Sequence, residues 1–255
     1  MMDVFTVIIP ARMASTRLPG KMLLEIAGKP LIQHVYESAC RSDAEKIIIA
    51  TDNDLIFKTC NSFGAECVMT SVEHVSGTDR LAEVVDKIDL PDNAIVVNVQ
   101  GDELGMPPEL INQVAKLLIN TTECNMATIC EEIVDDRDIT DPNVVKVVFS
   151  KLKSAIYFSR SPVPWHKEGQ TRQYFRHIGI YAYRTGFLRK YSRLPRCELE
   201  QKESLEQLRA LYYGETILIE EANVPSGIGV DTESDLQRAR QLIETGQGNI
   251  NVHGR

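Results

Sequence analysis

Three runs of β-branched and aliphatic residues, separated by helix-forming segments, constrain this chain more than any other feature. Val4-Phe5-Thr6-Val7-Ile8-Ile9, Lys46-Ile47-Ile48-Ile49-Ala50 and Ala94-Ile95-Val96-Val97-Asn98-Val99 are apolar almost without interruption. A strand with one wet face would alternate; near-continuous runs suit parallel strands covered on both faces. Between them, Leu31, His34, Val35, Ser38 and Ala39 recur at helical spacing behind Pro30, a residue suited to a first helical position. Residues 54–63, ended by Gly64, read as a second helix and residues 78–88 as a third. A fourth follows Pro107-Pro108. This order predicts a twisted, mostly parallel sheet with a nucleotide site at its carboxyl edge.

Beyond residue 130 the pattern changes. Val144-Val145-Lys146-Val147-Val148-Phe149, Ala155-Ile156-Tyr157-Phe158 and Ile178-Gly179-Ile180-Tyr181-Ala182-Tyr183 read as strands without long helices between them. They predict a mixed-sheet lobe inserted on the α/β core. A helix over 199–212, a strand at Ile217-Leu218-Ile219 and a last helix over 233–243 complete the reading. The 255 residues suffice for one large α/β domain or two small ones. No linker or internal repeat divides them, so one domain over 1–255 is expected. One half would span 1–130 and 214–245, with a lobe over 131–213. The polar, glycine-rich stretch Gly246-Gln247-Gly248-Asn249 is expected to fray.

Composition removes whole classes. The 28 Lys and Arg face 36 Asp and Glu, a net charge of −8. Such a balance repels the phosphate backbone and argues against general nucleic-acid or membrane-surface binding. No uncharged apolar run approaches the roughly 18 residues of a membrane span. Met1-Met2-Asp3-Val4 has no basic lead, so no signal peptide is expected. The six cysteines include no C-x-x-C pair, which favours reduced cytosolic thiols over a zinc or disulfide site.

The candidate chemistry sits just after the strands. Pro10-Ala11-Arg12-Met13-Ala14-Ser15-Thr16-Arg17-Leu18-Pro19-Gly20-Lys21 brings three cations and two hydroxyls past a buried strand. Cations and free N–H groups are what a polyphosphate needs. Met22 follows Lys21, so this is no Walker A loop, and no G-x-G-x-x-G is present. In Ser76-Gly77-Thr78-Asp79-Arg80 the hydroxyls suit ligand contact and a helix cap about equally. Asp102, in Gln100-Gly101-Asp102-Glu103, is either a turn aspartate or a Mg²⁺ carboxylate, because hard cations bind through one or two carboxylates plus substrate phosphates. Asp231, in Gly229-Val230-Asp231-Thr232-Glu233-Ser234-Asp235, is either its partner or part of a helix cap.

Taken in order, P-A-R-x-x-S-T-R-L-P-G-K, S-G-T-D-R, V-Q-G-D-E, R-H-I-G-I-Y-A-Y-R, L-E-Q-L-R and G-V-D-T-x-x-D-L resemble the 3-deoxy-manno-octulosonate (Kdo) cytidylyltransferase family over residues 4–243. The resemblance implies a Rossmann-like nucleotidyltransferase fold and the reaction CTP + Kdo → CMP-Kdo + pyrophosphate. It implies Mg²⁺, a cytoplasmic homodimer and a place in lipopolysaccharide biosynthesis. The lobe over 131–213 would serve sugar binding and dimerisation. CTP would be held by Arg12, Ser15, Arg17, Lys21, Ser76, Gly77, Thr78, Arg80 and Gln100. Asp102 and Asp231 match the metal carboxylates and, with Lys21, the catalytic set. Gln100, Arg160, His177, Tyr181, Glu206 and Gln207 match the sugar side.

Plainer readings stand beside these. Arg160 could be a surface arginine, His177 an edge histidine and Tyr181 a packing residue. Glu206 and Gln207 could face solvent on a helix whose leucines are buried. Trp165 suits a core or an interface, His34 a structural role, and Arg189, Lys190, Arg193 and Arg196 a solvated helix face. One departure from the family pattern is Leu104-Gly105, where a proline is usual first; it bears on loop order and on sugar preference. Other acidic sugars, 8-amino-Kdo or a sialic acid, and a non-catalytic nucleotide sensor are the alternatives.

Overall fold

The computed structural model describes residues 4–15, 17–167, 169 and 172–244; the stretch 246–249 lies outside them. The chain runs β1 (Phe5–Ala11), a 3-10 turn (Lys21–Leu23), β2 (Glu25–Ile26), β3 (Lys29–Pro30), α1 (Leu31–Ala39), β4 (Lys46–Thr51), α2 (Asp54–Ser62), β5 (Glu66–Met69) and α3 (Gly77–Lys87). It continues through β6 (Ile95–Asn98), β7 (Glu103–Leu104), α4 (Pro108–Ile119), β8 (Met126–Glu132), α5 (Asp136–Thr140), β9 (Lys146–Phe149) and β10 (Ala155–Ser159). The last elements are β11 (Phe175–Arg184), α6 (Thr185–Tyr191), α7 (Glu198–Glu203), α8 (Gln207–Tyr212), β12 (Ile217–Glu221), β13 (Ile228–Gly229) and α9 (Glu233–Glu244).

The three apolar runs are the parallel heart of a nine-stranded sheet: β1 pairs in parallel with β4 and with β6, and β4 with β5. Both faces are covered, as the unbroken runs require. Val7, Ile9, Val97 and Val99 join α1 and α4 in one core, whereas Ile8, Ile48 and Val96 meet Leu81 and Val85 of α3 in another. The sheet becomes mixed at β11, which is antiparallel to β6, β8 and β9; β10 then pairs antiparallel with β9 at one edge. β8 is itself paired in parallel by β12.

Residues 199–212 do not form one helix. Ser204, at φ +53°, takes a left-handed conformation that separates α7 from α8. The break turns Ser204, Leu205, Glu206 and Gln207 toward the sheet, where they line a cavity. α6 is no merely solvated face either. Arg189 donates to Asp86 at 2.7 Å and to the carbonyl of Leu90 at 2.7 Å. Trp165 is 83% exposed and takes no part in the core. His34 is structural, its Nε2 lying 2.8 Å from the carbonyl of Ile26. All six cysteines are free thiols.

Candidate active site

At the carboxyl ends of β1 and β6 lies a basin of about 400 Å³. The loop after β1 supplies Arg12, Ser15, Arg17 and Lys21 to it, the start of α3 gives Gly77 and Arg80, and the turn after β6 gives Gln100, Gly101 and Asp102. Gly20, at φ +67°, makes the left-handed turn that starts the 3-10 segment and buries Lys21. Gly101 is required by close approach, since a Cβ there would meet the Pro10 carbonyl oxygen at 2.8 Å and Met22 Sδ at 2.9 Å.

Lys21 joins the two aspartates. Its ammonium donates to Asp102 and, at 2.9 Å, to Asp231 Oδ1, while Arg17 reaches Asp231 Oδ2 at 2.9 Å. Burial pulls the Lys21 pKa down, but the two carboxylates outweigh it and leave it above its ordinary value. Asp231 arrives through backbone pairing. Ile228 and Gly229 of β13 pair with Leu104 and Glu103 of β7, and Val230 N–H donates to the Asp102 carbonyl at 2.9 Å. Gly227 permits this approach: a Cβ there would lie 2.5 Å from the Leu104 carbonyl oxygen. Thr232 and Asp235 cap α9 between themselves, with Asp235 accepting from Thr232 N–H at 2.8 Å, so the Asp231 carboxylate is left to face the cations.

The Leu104-Gly105 departure is ordered by the same ribbon. Leu104 is buried against Val230, and Gly105 takes φ +69°, a value that favours glycine. Next to it, burial first and then Asp102 and Asp231 push the Glu103 carboxyl up to about 7.

A second basin of about 230 Å³ adjoins the first, and Arg12, Gly77 and Gln100 line both. Its walls include Thr78, Asn98, Tyr181, Tyr183, Tyr191, Glu206 and Gln207. Thr78 donates to Glu206 Oε2 at 2.9 Å, and Tyr191 OH donates to the Glu206 carbonyl at 2.6 Å. Burial raises the Glu206 carboxyl above its ordinary value, against the opposing pull of the Thr78 hydroxyl and of Arg209. Glu206 and Gln207 therefore face a cavity rather than solvent.

Three of the expected residues stand apart from both basins. Ser76 caps α3, accepting from Asp79 N–H at 3.1 Å. Arg160 is spent on backbone, donating to the carbonyls of Glu203 at 2.6 Å and Pro142 at 2.7 Å. His177 lies behind Tyr181, with ring centroids 5.2 Å apart, and its Nε2 meets Thr128 Oγ1 at 3.0 Å. Burial holds its pKa down to about 3, so the ring is neutral. Arg80 does line the first basin, but it is 2% exposed and bound to Asp52 at 2.7 Å and to Thr70. Asp52 and Asn98 went unnoticed in the sequence. Asp52 sits in the polar run Thr51-Asp52-Asn53-Asp54 and Asn98 within an apolar one; neither carries a local motif, and only tertiary pairing reveals its surroundings.

The chain is similar to known proteins over most of its length. A profile of the family described as cytidylyltransferase matches residues 6–217. The 3-deoxy-manno-octulosonate cytidylyltransferase of Idiomarina loihiensis is 51% identical over 251 residues, covering 95% of this chain and 99% of that protein. The protein of the same name from Marinobacter nauticus is 52% identical over 255 residues, covering 95% and 98%. Among solved structures, CMP:2-keto-3-deoxy-manno-octonic acid synthetase complexed with CTP superposes with a TM-score of 0.89. It is 40% identical, with 95% of this chain and 99% of that one covered.

Proposed function

The chain belongs to the 3-deoxy-manno-octulosonate cytidylyltransferases, and we propose that it transfers CMP from CTP to Kdo, releasing pyrophosphate. One observation carries the assignment of roles: Lys21, Asp102 and Asp231 converge at the floor of a cation-lined basin that opens into a second, tyrosine-walled one.

CTP occupies the first basin. Arg12, Arg17 and Lys21 surround its phosphates with positive charge, and Ser15 adds a hydroxyl. Lys21 and Arg17 steady the leaving pyrophosphate. Arg80, fixed by Asp52, shapes the wall rather than reaching freely toward the nucleotide. Kdo occupies the second basin, where Gln100 at the shared rim, Tyr181, Glu206 and Gln207 can engage its hydroxyls. Its anomeric 2-hydroxyl then faces the α-phosphorus of CTP across the common boundary. Attack there forms the new P–O bond as the bond to pyrophosphate breaks, with no enzyme-bound covalent intermediate. The chain contributes positioning and charge neutralisation.

The donor set fits Mg²⁺. Asp102 and Asp231 both converge on one cationic group, the Lys21 ammonium, and two carboxylates plus substrate phosphates are the set this ion prefers. When bound, the metal supplies neutralisation of phosphate charge and acidification of the attacking hydroxyl. The setting implied is the cytoplasm, with the product entering lipopolysaccharide biosynthesis. A homodimer formed through the edge strand β10 fits its outward Ile156, 61% exposed, and the nearby Leu152, 85% exposed.

Mass spectrometry of an incubation with CTP, Kdo and Mg²⁺ tests the reading. A CMP-Kdo product is expected. Product with 8-amino-Kdo or a sialic acid but none with Kdo would move the assignment to that sugar.

A further inference from the structure

Asn98 is the last residue of β6, held between Ile8 of β1 and Tyr181 of β11. It is 1% exposed, yet it lines the second basin. Among the described residues, its Oδ1 is the one buried side-chain oxygen or nitrogen without a hydrogen-bond partner. Two hydroxyls of the same basin, those of Thr78 and Tyr191, donate to Glu206 instead. Asparagine is also a poor strand former, and it stands in Ile95-Val96-Val97-Asn98 where every other residue is β-branched and apolar. A buried carboxamide oxygen left unpaired destabilises the free protein.

We propose that Asn98 is a sugar-binding residue whose carboxamide is completed by a hydroxyl of the acidic sugar in the second basin. The inference rests on the reading of that basin as the Kdo site. A carboxamide offers an acceptor and two donors, so a hydroxyl, which can both donate and accept, satisfies it. A carboxylate cannot, because it only accepts. Asn98 therefore reads the polyol portion of the sugar rather than its carboxylate. A site built to bond one hydroxyl rejects an analogue that lacks it, since the protein group is then left buried and bare.

The test compares wild type with Asn98→Leu and Asn98→Ala, measuring KM separately for Kdo and for CTP, together with thermal unfolding. Asn98→Leu is expected to raise KM for Kdo about tenfold or more. Its KM for CTP should stay within about twofold, and its Tm should not fall, because an unpaired polar group has gone. Kdo analogues lacking one hydroxyl each add a second readout. One of them should be a poor substrate for wild type, and Asn98→Leu should no longer distinguish it from Kdo. Should Asn98→Leu fail to fold, Asn98→Ala carries the same comparison. A folded variant with unchanged KM for Kdo, or with equal losses toward both substrates, would overturn the assignment alone. A wild-type enzyme that does not use Kdo would remove the reading of the basin and the assignment with it.

Discussion

The backbone N–H of Val230 donates to the carbonyl oxygen of Asp102 at 2.9 Å, and this bond places the side chain of Asp231 beside that of Asp102. The β7–β13 ribbon is thus the device that turns two distant aspartates into one pair. Lys21, from a third segment, closes the cluster.

Replacing Asp102 by Asn removes one anchor without changing shape. Turnover should fall by about 100-fold or more, the scale on which preorganised charge stabilisation acts. Far-ultraviolet circular dichroism should be unchanged, because the Asp102 backbone bond to Val230 survives. Retained activity would exclude Asp102 from metal binding.

Gly227→Ala probes the ribbon itself. The added Cβ would sit 2.5 Å from the Leu104 carbonyl oxygen and 2.8 Å from Gly105 C, both backbone atoms that cannot swing aside. β13 must move, and Asp231 with it. Overpacking of this kind costs about 1–3 kcal/mol. Activity should fall further than that stability loss explains, as read from kcat on protein shown to be folded at the assay temperature.

Arg209 and Glu200 form a buried pair with side chains 3% and 6% exposed, and the guanidinium also lies 4.7 Å over the Tyr191 ring. Arg209→Met leaves the buried Glu200 carboxylate with only the distant Arg196, at 3.8 Å, and should cost about 3–5 kcal/mol. Adding Glu200→Leu should restore most of it, since an apolar pair of similar volume is close to neutral there. Urea denaturation of both variants reads the difference.

His177 makes stability depend on pH. Burial holds its folded pKa down to about 3, against 6.5 ordinarily. Between those values the unfolded chain takes up a proton that the folded protein refuses, so stability falls as pH falls. Its contribution is complete above 6.5 and declines below it, approaching about 1.4 kcal/mol per pH unit. His177→Gln should flatten the stability profile across pH 6.5 to 5; a parallel profile would show that the ring is not held neutral.

The parallel heart of the fold was legible because β1, β4 and β6 are covered on both faces, and an unbroken apolar run has few other uses. The break at Ser204 was not. Leu205, Leu208 and Leu211 just after it keep a helical rhythm, and a left-handed serine has no local signature. The motifs single out Lys21, Asp102 and Asp231 as the expected catalytic set, and the ribbon explains why their side chains meet. The same reasoning placed Ser76, Arg160 and His177 with the ligands, whereas here they cap α3, tie down Glu203 and Pro142, and pack behind Tyr181. Asn98 belongs to the strand the sequence predicts, but its unpaired oxygen has no sequence signal, because being unpaired is a property of neighbours rather than of residue type.

Pyrophosphate release from CTP, measured with Kdo and Mg²⁺ each present or omitted, tests the central claim most directly. Release that requires both is the predicted result. Release indifferent to Kdo, or none at all from folded protein that binds CTP, would contradict cytidylyl transfer to Kdo.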